Sequence, residues 1–199
     1  MLLLKEIQKQ TVREEFVHIT KEMIVQEGVD GVSARKIADI ANCSYATIYN
    51  YFRDMNDLLW HVVASSMQDM QREFQGMESQ KNYDIEDLKT LCRRYFEYFC
   101  STPHLFTFFF FRDIGLPPPE LAGSVSPPFV VPLAMRILEQ SLQGASQEEI
   151  ASYCGLITEA LHGKMLFVFS NKEDLPRQEI ANTIDTMVDL ILRPVTGGA

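Results

Sequence analysis

GVDGVSARKIADIANCSYATIYNYFRDMNDLL, residues 28–59, is the stretch on which the reading of this chain turns. Gly28 closes a helix expected over Ile7–Gln26, whose apolar positions Val12, Phe16, Ile19 and Met23 recur at intervals of three and four. Val29-Asp30-Gly31-Val32 reads as a turn. Ser33 then has the character of an N-cap, and Ala34, Ile37, Ala38 and Ala41 fall on one face of a short helix. Asn42-Cys43 is a tight connection, Ser44 is a second N-cap, and a third helix is expected from Tyr45 to Phe52. Asp54 caps a fourth, expected to run to about Met77, with Leu58, Leu59, Val62, Val63 and Met70 on its inner side.

Two short helices joined by a tight turn can present the second of the pair to a DNA major groove. That geometry needs small residues where the helices cross, and Ala38 and Ala41 supply them. It also needs polar caps, because the free backbone N–H groups at a helix start favour phosphate; Ser33 and Ser44 fit. Tyr45, Thr47, Tyr49, Asn50 and Tyr51 crowd the outward side of the second helix, and Ile48 and Phe52 are left to face inward. The competing reading is that the tyrosine rings merely pack, as aromatics on short helices often do.

The whole chain, 199 residues with 46% hydrophobic residues and a formal charge of −9, has apolar content enough for a real core. A surface coated in phosphate-seeking lysines is excluded, but a DNA-binding protein needs only a locally basic face. Arg35, Lys36 and Arg53 stand against Asp39 in the decisive stretch, while most of the acid lies elsewhere. Cys43, Cys92, Cys100 and Cys154 form no C-x-x-C pair, and no histidine pair has metal-ligand spacing; the thiols are expected to be reduced and mostly buried. Met1–Leu4 is too short for a signal-peptide core, and Leu105–Phe111 is far below the roughly 20 residues that span a bilayer. The chain is therefore expected to be cytoplasmic, with no membrane partner.

Beyond the decisive stretch, helical spacing dominates and strand alternation is nearly absent. After a polar break at Gln80–Asp84, helices are expected at Ile85–Ser101, Pro103–Asp113, Pro132–Leu142, Gln147–Ser170 and Pro176–Leu192, with loops at Leu116–Pro119 and Gly123–Pro128 and a loose tail at Pro194 and Gly197-Gly198. The fold class that follows is all-α, about nine helices. A three-helix helix-turn-helix domain spans residues 1–54, and a helical ligand-binding and dimerisation domain spans 55–199.

The segment from about residue 7 to residue 60 resembles the tetracycline-repressor (TetR/AcrR) family. The residues that carry the likeness are Gly28, Gly31-Val32-Ser33, Arg35, Ile37-Ala38, Ala41, Ser44, Ala46-Thr47-Ile48-Tyr49, Tyr51-Phe52, Arg53-Asp54 and Asp57-Leu58-Leu59. Thr102-Pro103-His104-Leu105-Phe106 and Leu161-His162-Gly163 agree more loosely. The resemblance implies that Ser33, Ser44, Thr47, Tyr49 and Tyr51 hold phosphates. It places Arg35, Tyr45, Ala46 and Asn50 nearest base edges, where Arg can bond guanine and Asn adenine. Lys36 and Arg53 complete the expected DNA-binding set. Two departures stand out: many members carry Gly where this chain has Asn42, and Lys where it has Met55, a lost phosphate contact that either weakens binding or shifts the work to Arg53. The resemblance further implies a homodimeric repressor of a palindromic operator in double-stranded DNA, released by a small-molecule effector.

The region Tyr95–Phe111 holds more aromatic surface than one helix buries on one side. These rings are either core or the wall of an effector pocket; Tyr95, Phe99, Phe106, Phe110, Met135 and His162 are the candidates for lining, and an apolar or aromatic effector suits them. His162 is followed by a helical Gly163, for which close helix approach offers a reason. Dimerisation is expected on the last two helices, through Ile157, Leu161, Met165 and Val168 on one and Ile180, Ile184, Met187, Val188 and Ile191 on the other; the alternative is that one stripe packs internally. No nucleophile elbow, phosphate-cradling glycine loop or metal cluster is apparent in the sequence, so no enzyme activity, cofactor or metal is expected. The rival functions are a helical ligand-binding module with weak or lost DNA binding, for which Met55 speaks, and an activator of the same fold.

Overall fold

A computed structural model describes residues 2–79, 82–123, 130–170 and 176–196, and among them are nine α-helices, one short 3-10 turn and no strand. The expected all-α class holds. Most of Gly123–Pro128, together with Gln80, Lys81 and Gly197-Gly198, lies outside the described residues.

The chain divides into two compact units. One comprises residues 1–73 and 102–127, the other residues 74–101 and 128–199. The unit that holds the short helices is thus larger than residues 1–54; it takes in most of the fourth helix and the segment from Thr102 onward.

In the first unit, α1 (Leu2–Glu27) begins earlier than Ile7 and buries Phe16, Val17, Thr20, Met23 and Ile24, while Val12 and Ile19 stay half-exposed. Thr20 is tolerated in the core because its hydroxyl donates to the Phe16 carbonyl at 2.7 Å. Gly28 at φ 80° ends the helix by donating its N–H to the Ile24 carbonyl, a conformation open to glycine. A 3-10 turn, Val29–Gly31, leads to α2 (Ala34–Ile40), whose Ser33 cap accepts from the Lys36 N–H at 3.3 Å. Ile37 and Ala38 are its buried residues.

The next helix, α3, is shorter than expected. It spans Tyr45–Ile48, and the chain then continues as turns to Phe52. Ile48 still receives the Phe52 N–H at 3.0 Å, so the last residues keep near-helical pairing without a regular helix. Helix α4 (Met55–Glu78) follows, with Leu58, Val62 and Met70 in the core. Helix α6 (Pro103–Phe111) buries Leu105, Phe106 and Phe108 and packs on α1. The segment after it is tied back by Trp60 Nε1 donating to the Ile114 carbonyl at 3.2 Å and by Arg112 pairing with Asp30 at 3.1 Å.

The second unit is built from α5 (Ile85–Ser101), α7 (Val130–Ser141), α8 (Gln147–Phe169) and α9 (Arg177–Thr196). Helix α7 starts two residues before Pro132, which sits in the first turn, where a missing N–H costs nothing. Helix α8 opens on a capping box in which the Ser146 hydroxyl and the Glu149 carboxylate each accept a backbone N–H. Helix α9 runs past Leu192 to Thr196. Leu88, Phe96 and Phe99 of α5, Leu133 and Ile137 of α7, Cys154 and Met165 of α8, and Ile184 and Val188 of α9 form the core. Lys89 is buried, and it remains charged because Glu86 and Asp189 receive its ammonium at 2.8 and 2.7 Å, which raises its pKa.

Candidate DNA-contacting surface and sensing unit

The turn between α2 and α3 decides how the second helix is presented. Asn42 adopts φ 51°, the left-handed region that Asn tolerates better than most residues, and the Cys43 N–H returns to the Ala38 carbonyl at 2.9 Å. Asparagine therefore performs here the backbone duty that glycine performs elsewhere. Ser44 does not cap a backbone N–H with its side chain; its hydroxyl pairs with that of Thr47 at 2.9 Å.

Two anchors hold the presented element from beneath. Ile48 is fully buried and Phe52 nearly so, the latter edge-on to Phe16 at 6.5 Å. With those side chains inward, Ser33, Arg35, Lys36, Ser44, Tyr45, Ala46, Tyr49, Asn50 and Arg53 are exposed, and Thr47 and Tyr51 are half-buried. Tyr45 and Tyr49 are 56% and 45% exposed, so these two rings do not pack as core. Tyr51 does pack in part, its ring 5.6 Å from that of Phe16. Lys36 is engaged with Glu27 at 3.1 Å, and Arg53 lies 3.5 Å from the Asp57 carboxylate.

Sequence reading missed the reach of Asp57. Its carboxylate accepts the Arg53 N–H at 2.8 Å while its own N–H goes to Asp54, so both acids fix the start of α4. The other Asp57 oxygen is buried without a hydrogen bond, 3.7 Å from His61 Nε2. Asp57, His61 and Glu120 bring ligand-type atoms within 4.8 Å of one another. The Arg13 guanidinium lies against His61 Nε2 and 5.0 Å over the Phe52 ring, which sets a positive charge beside this cluster. Burial first, then the Arg13 charge, holds His61 below the ordinary histidine value.

Residues 17–62 match the family model described as bacterial regulatory proteins, tetR family. Through this segment the chain is similar to the tetR family. No curated protein matches the chain. Among solved structures, the transcriptional regulator FadR from Bacillus subtilis in complex with stearoyl-CoA is similar in fold, with a TM-score of 0.66 at 16% identity, covering 88% of this chain and 96% of that one. The regulatory protein SCO4313 gives 0.70 at 12% identity over 92% and 97%. A TetR transcriptional regulator from Rhodococcus sp. RHA1 gives 0.60 at 15% identity over 93% and 97%. A helix-turn-helix similar to that of the tetR family is thus joined in this chain to an all-helical remainder, and the three solved structures share its fold.

The sensing candidates fall into two groups. Tyr95, Phe99, Met135 and His162 belong to the second unit, Phe106 and Phe110 to the first. Tyr95 and Phe99 are buried, with rings 5.0 Å apart in a T-shape, and the Tyr95 hydroxyl meets His162 Nε2 at 2.9 Å. Burial pushes the Tyr95 hydroxyl up and His162 down, so both are held neutral. Met135 is half-buried on α7, and Phe106 and Phe110 pair at 4.9 Å. Cys92 and Cys154 are buried and Cys43 and Cys100 half-buried, all as free thiols. Burial drives Cys92 up to about 12.

On α8 and α9 the stripe read from the sequence is mainly the inward one. Ile157, Leu161, Met165, Ile180, Ile184 and Val188 are buried within the chain itself, whereas Val168, Met187 and Ile191 stay half-exposed. Periodicity finds an apolar face but does not say which of two faces is outermost. The outward apolar residues are Leu156, Leu166, Phe167 and Leu190, between 44% and 60% exposed. Gly163 also departs from expectation: a Cβ there would meet nothing within 4 Å, so no close helix approach among the described residues accounts for it. It lines a surface groove of about 590 Å³ with Ala160, Phe167 and Met187. No helix among the described residues is long and apolar enough to cross a membrane.

Proposed function

We propose that this tetR-family regulator is a cytoplasmic homodimeric repressor that binds a palindromic operator through residues 1–54 and is released by a small apolar or aromatic effector held in residues 55–199. The observation that carries the reading is the exposure of Tyr45, Ala46, Tyr49 and Asn50 above the buried pair Ile48 and Phe52. In this reading Arg35, Tyr45, Ala46 and Asn50 read base edges, and Ser33, Ser44, Thr47, Tyr49 and Tyr51 hold phosphates. Lys36 and Arg53 contribute charge after leaving Glu27 and Asp57.

The outward residues Leu156, Phe167 and Leu190, with Val168, Met187 and Ile191 beside them, supply the surface for a two-fold partner, and Gly163 supplies the close approach. Two copies then present two reading elements to two half-sites. An apolar effector is supported by the buried Tyr95–Phe99 ring cluster, and by the stearoyl-CoA bound to the Bacillus subtilis neighbour.

The test is selection of host-genome fragments on the full-length protein, followed by anisotropy titration of the enriched sequence with and without acyl and aromatic compounds. Enrichment of one palindrome, bound in a salt-dependent manner and released by a compound of this class, is the expected result. Recovery of no sequence above background would defeat the reading.

A further inference from the structure

Helix α1 extends well ahead of the matched segment 17–62, and its turns at residues 7–12 flank a groove that the recognition element closes on the other side. The groove, about 690 Å³, is lined by Ile7, Gln8, Lys9 and Val12 from α1 and by Asn50 and Tyr51. Lys9 is exposed and makes no ion pair among the described residues, in contrast to Lys36 and Arg53. Ile7 is 54% exposed although apolar.

We infer that this groove is a second contact site for DNA, taking one phosphodiester and its deoxyribose beside the bases that the recognition element reads. The inference rests on the DNA-binding reading above. Three observations support it. Asn50 and Tyr51 belong both to the groove and to the proposed reading surface, so backbone entering the groove is continuous with DNA held there. A phosphate wants a cation and neutral donors, and Lys9 Nζ with the Gln8 and Asn50 amides provides them. A sugar face wants apolar cover, and Ile7 and Val12 provide it. Glu6 and Glu14 on the same helix confine the attraction to a single contact and prevent a broad basic patch.

The experiment measures Kd against KCl concentration by anisotropy, on the enriched DNA fragment, for the full-length protein and its Lys9→Ala and Lys9→Arg variants. Lys9→Ala is expected to weaken binding about three- to tenfold, alike on enriched and scrambled DNA, and to lower the slope of log Kd against log salt by about one per chain. Lys9→Arg is expected to keep both. Thermal midpoints stay equal, since Lys9 is on the surface. Unchanged Kd and slope in Lys9→Ala, with the parent protein binding normally, would overturn this inference and leave the DNA reading standing. A parent protein with no salt-dependent binding at all would overturn both.

Discussion

The Tyr95 hydroxyl and His162 Nε2 stand 2.9 Å apart in the helical second unit, a polar pair set among buried rings. Burial holds His162 below the ordinary histidine value of 6.5, so the unfolded chain takes up the proton first as pH falls. This contribution is whole above about pH 6.5 and is lost as pH drops through and below that value. The thermal midpoint is therefore expected to fall between pH 7.5 and pH 5. Replacing His162→Gln should shrink that fall by about 2 °C, leaving the share that His61 contributes in the same direction. Equal falls in both proteins, measured by circular dichroism, would show that His162 does not titrate with folding.

Thr47 and Tyr49 anchor nothing in the core, so truncating them tests DNA contact separately from folding. Thr47→Ala and Tyr49→Ala are each expected to weaken operator binding by about tenfold or more, roughly 1.4 kcal/mol, with midpoints within about 1 °C of the parent. Arg35→Ala should act differently. It removes a base contact, and discrimination between the operator and single-base variants at one position drops by about 1–3 kcal/mol. Gel retention across a panel of altered operators separates the two patterns.

Asn42 bears a backbone conformation that most side chains resist. Asn42→Ala is expected to cost about 1 kcal/mol, while Asn42→Gly is near neutral because conformational ease in the folded turn offsets added freedom in the unfolded chain. Urea unfolding followed at 222 nm reads both. A stable Asn42→Ala protein would mean that the turn relaxes.

Phe167 and Leu190 point outward from helices whose opposite apolar faces, Leu161 and Met165 on α8 and Ile184 and Val188 on α9, are buried. Phe167→Glu with Leu190→Glu should convert a species of twice 22.8 kDa to one of 22.8 kDa in sedimentation, with helicity intact. Leu161→Ala, by contrast, should destabilise the protomer by about 2–5 kcal/mol, because Leu161 is core. A parent protein that already sediments at 22.8 kDa would remove the dimer from the account.

Much of this was legible in the residues. Caps and breakers mark the start of α2 and the junction of α5 with α6, because Ser33 and Pro103 act locally. Ile48 and Phe52 were assigned inward correctly from periodicity alone. Two things were not legible. The early end of α3 at Ile48 depends on how the chain turns to meet α4, where Asp57 holds the Arg53 N–H, and that is a tertiary demand. The division of α8 and α9 into inward and outward faces was also hidden, since Leu156 and Ile157 are both apolar and only packing decides between them. Tyr95 and Phe99 lie close to Phe106 and Phe110 in sequence, yet the two pairs belong to different units because the chain changes unit at Thr102.

Lys36 and Arg53 are each matched to an acid of the same chain, and the molecule as a whole is anionic. Such a protein has little to hold it on arbitrary sequence. In a cell crowded with chromosome it would idle in free solution between visits and find its target by three-dimensional search more than by gliding along the duplex.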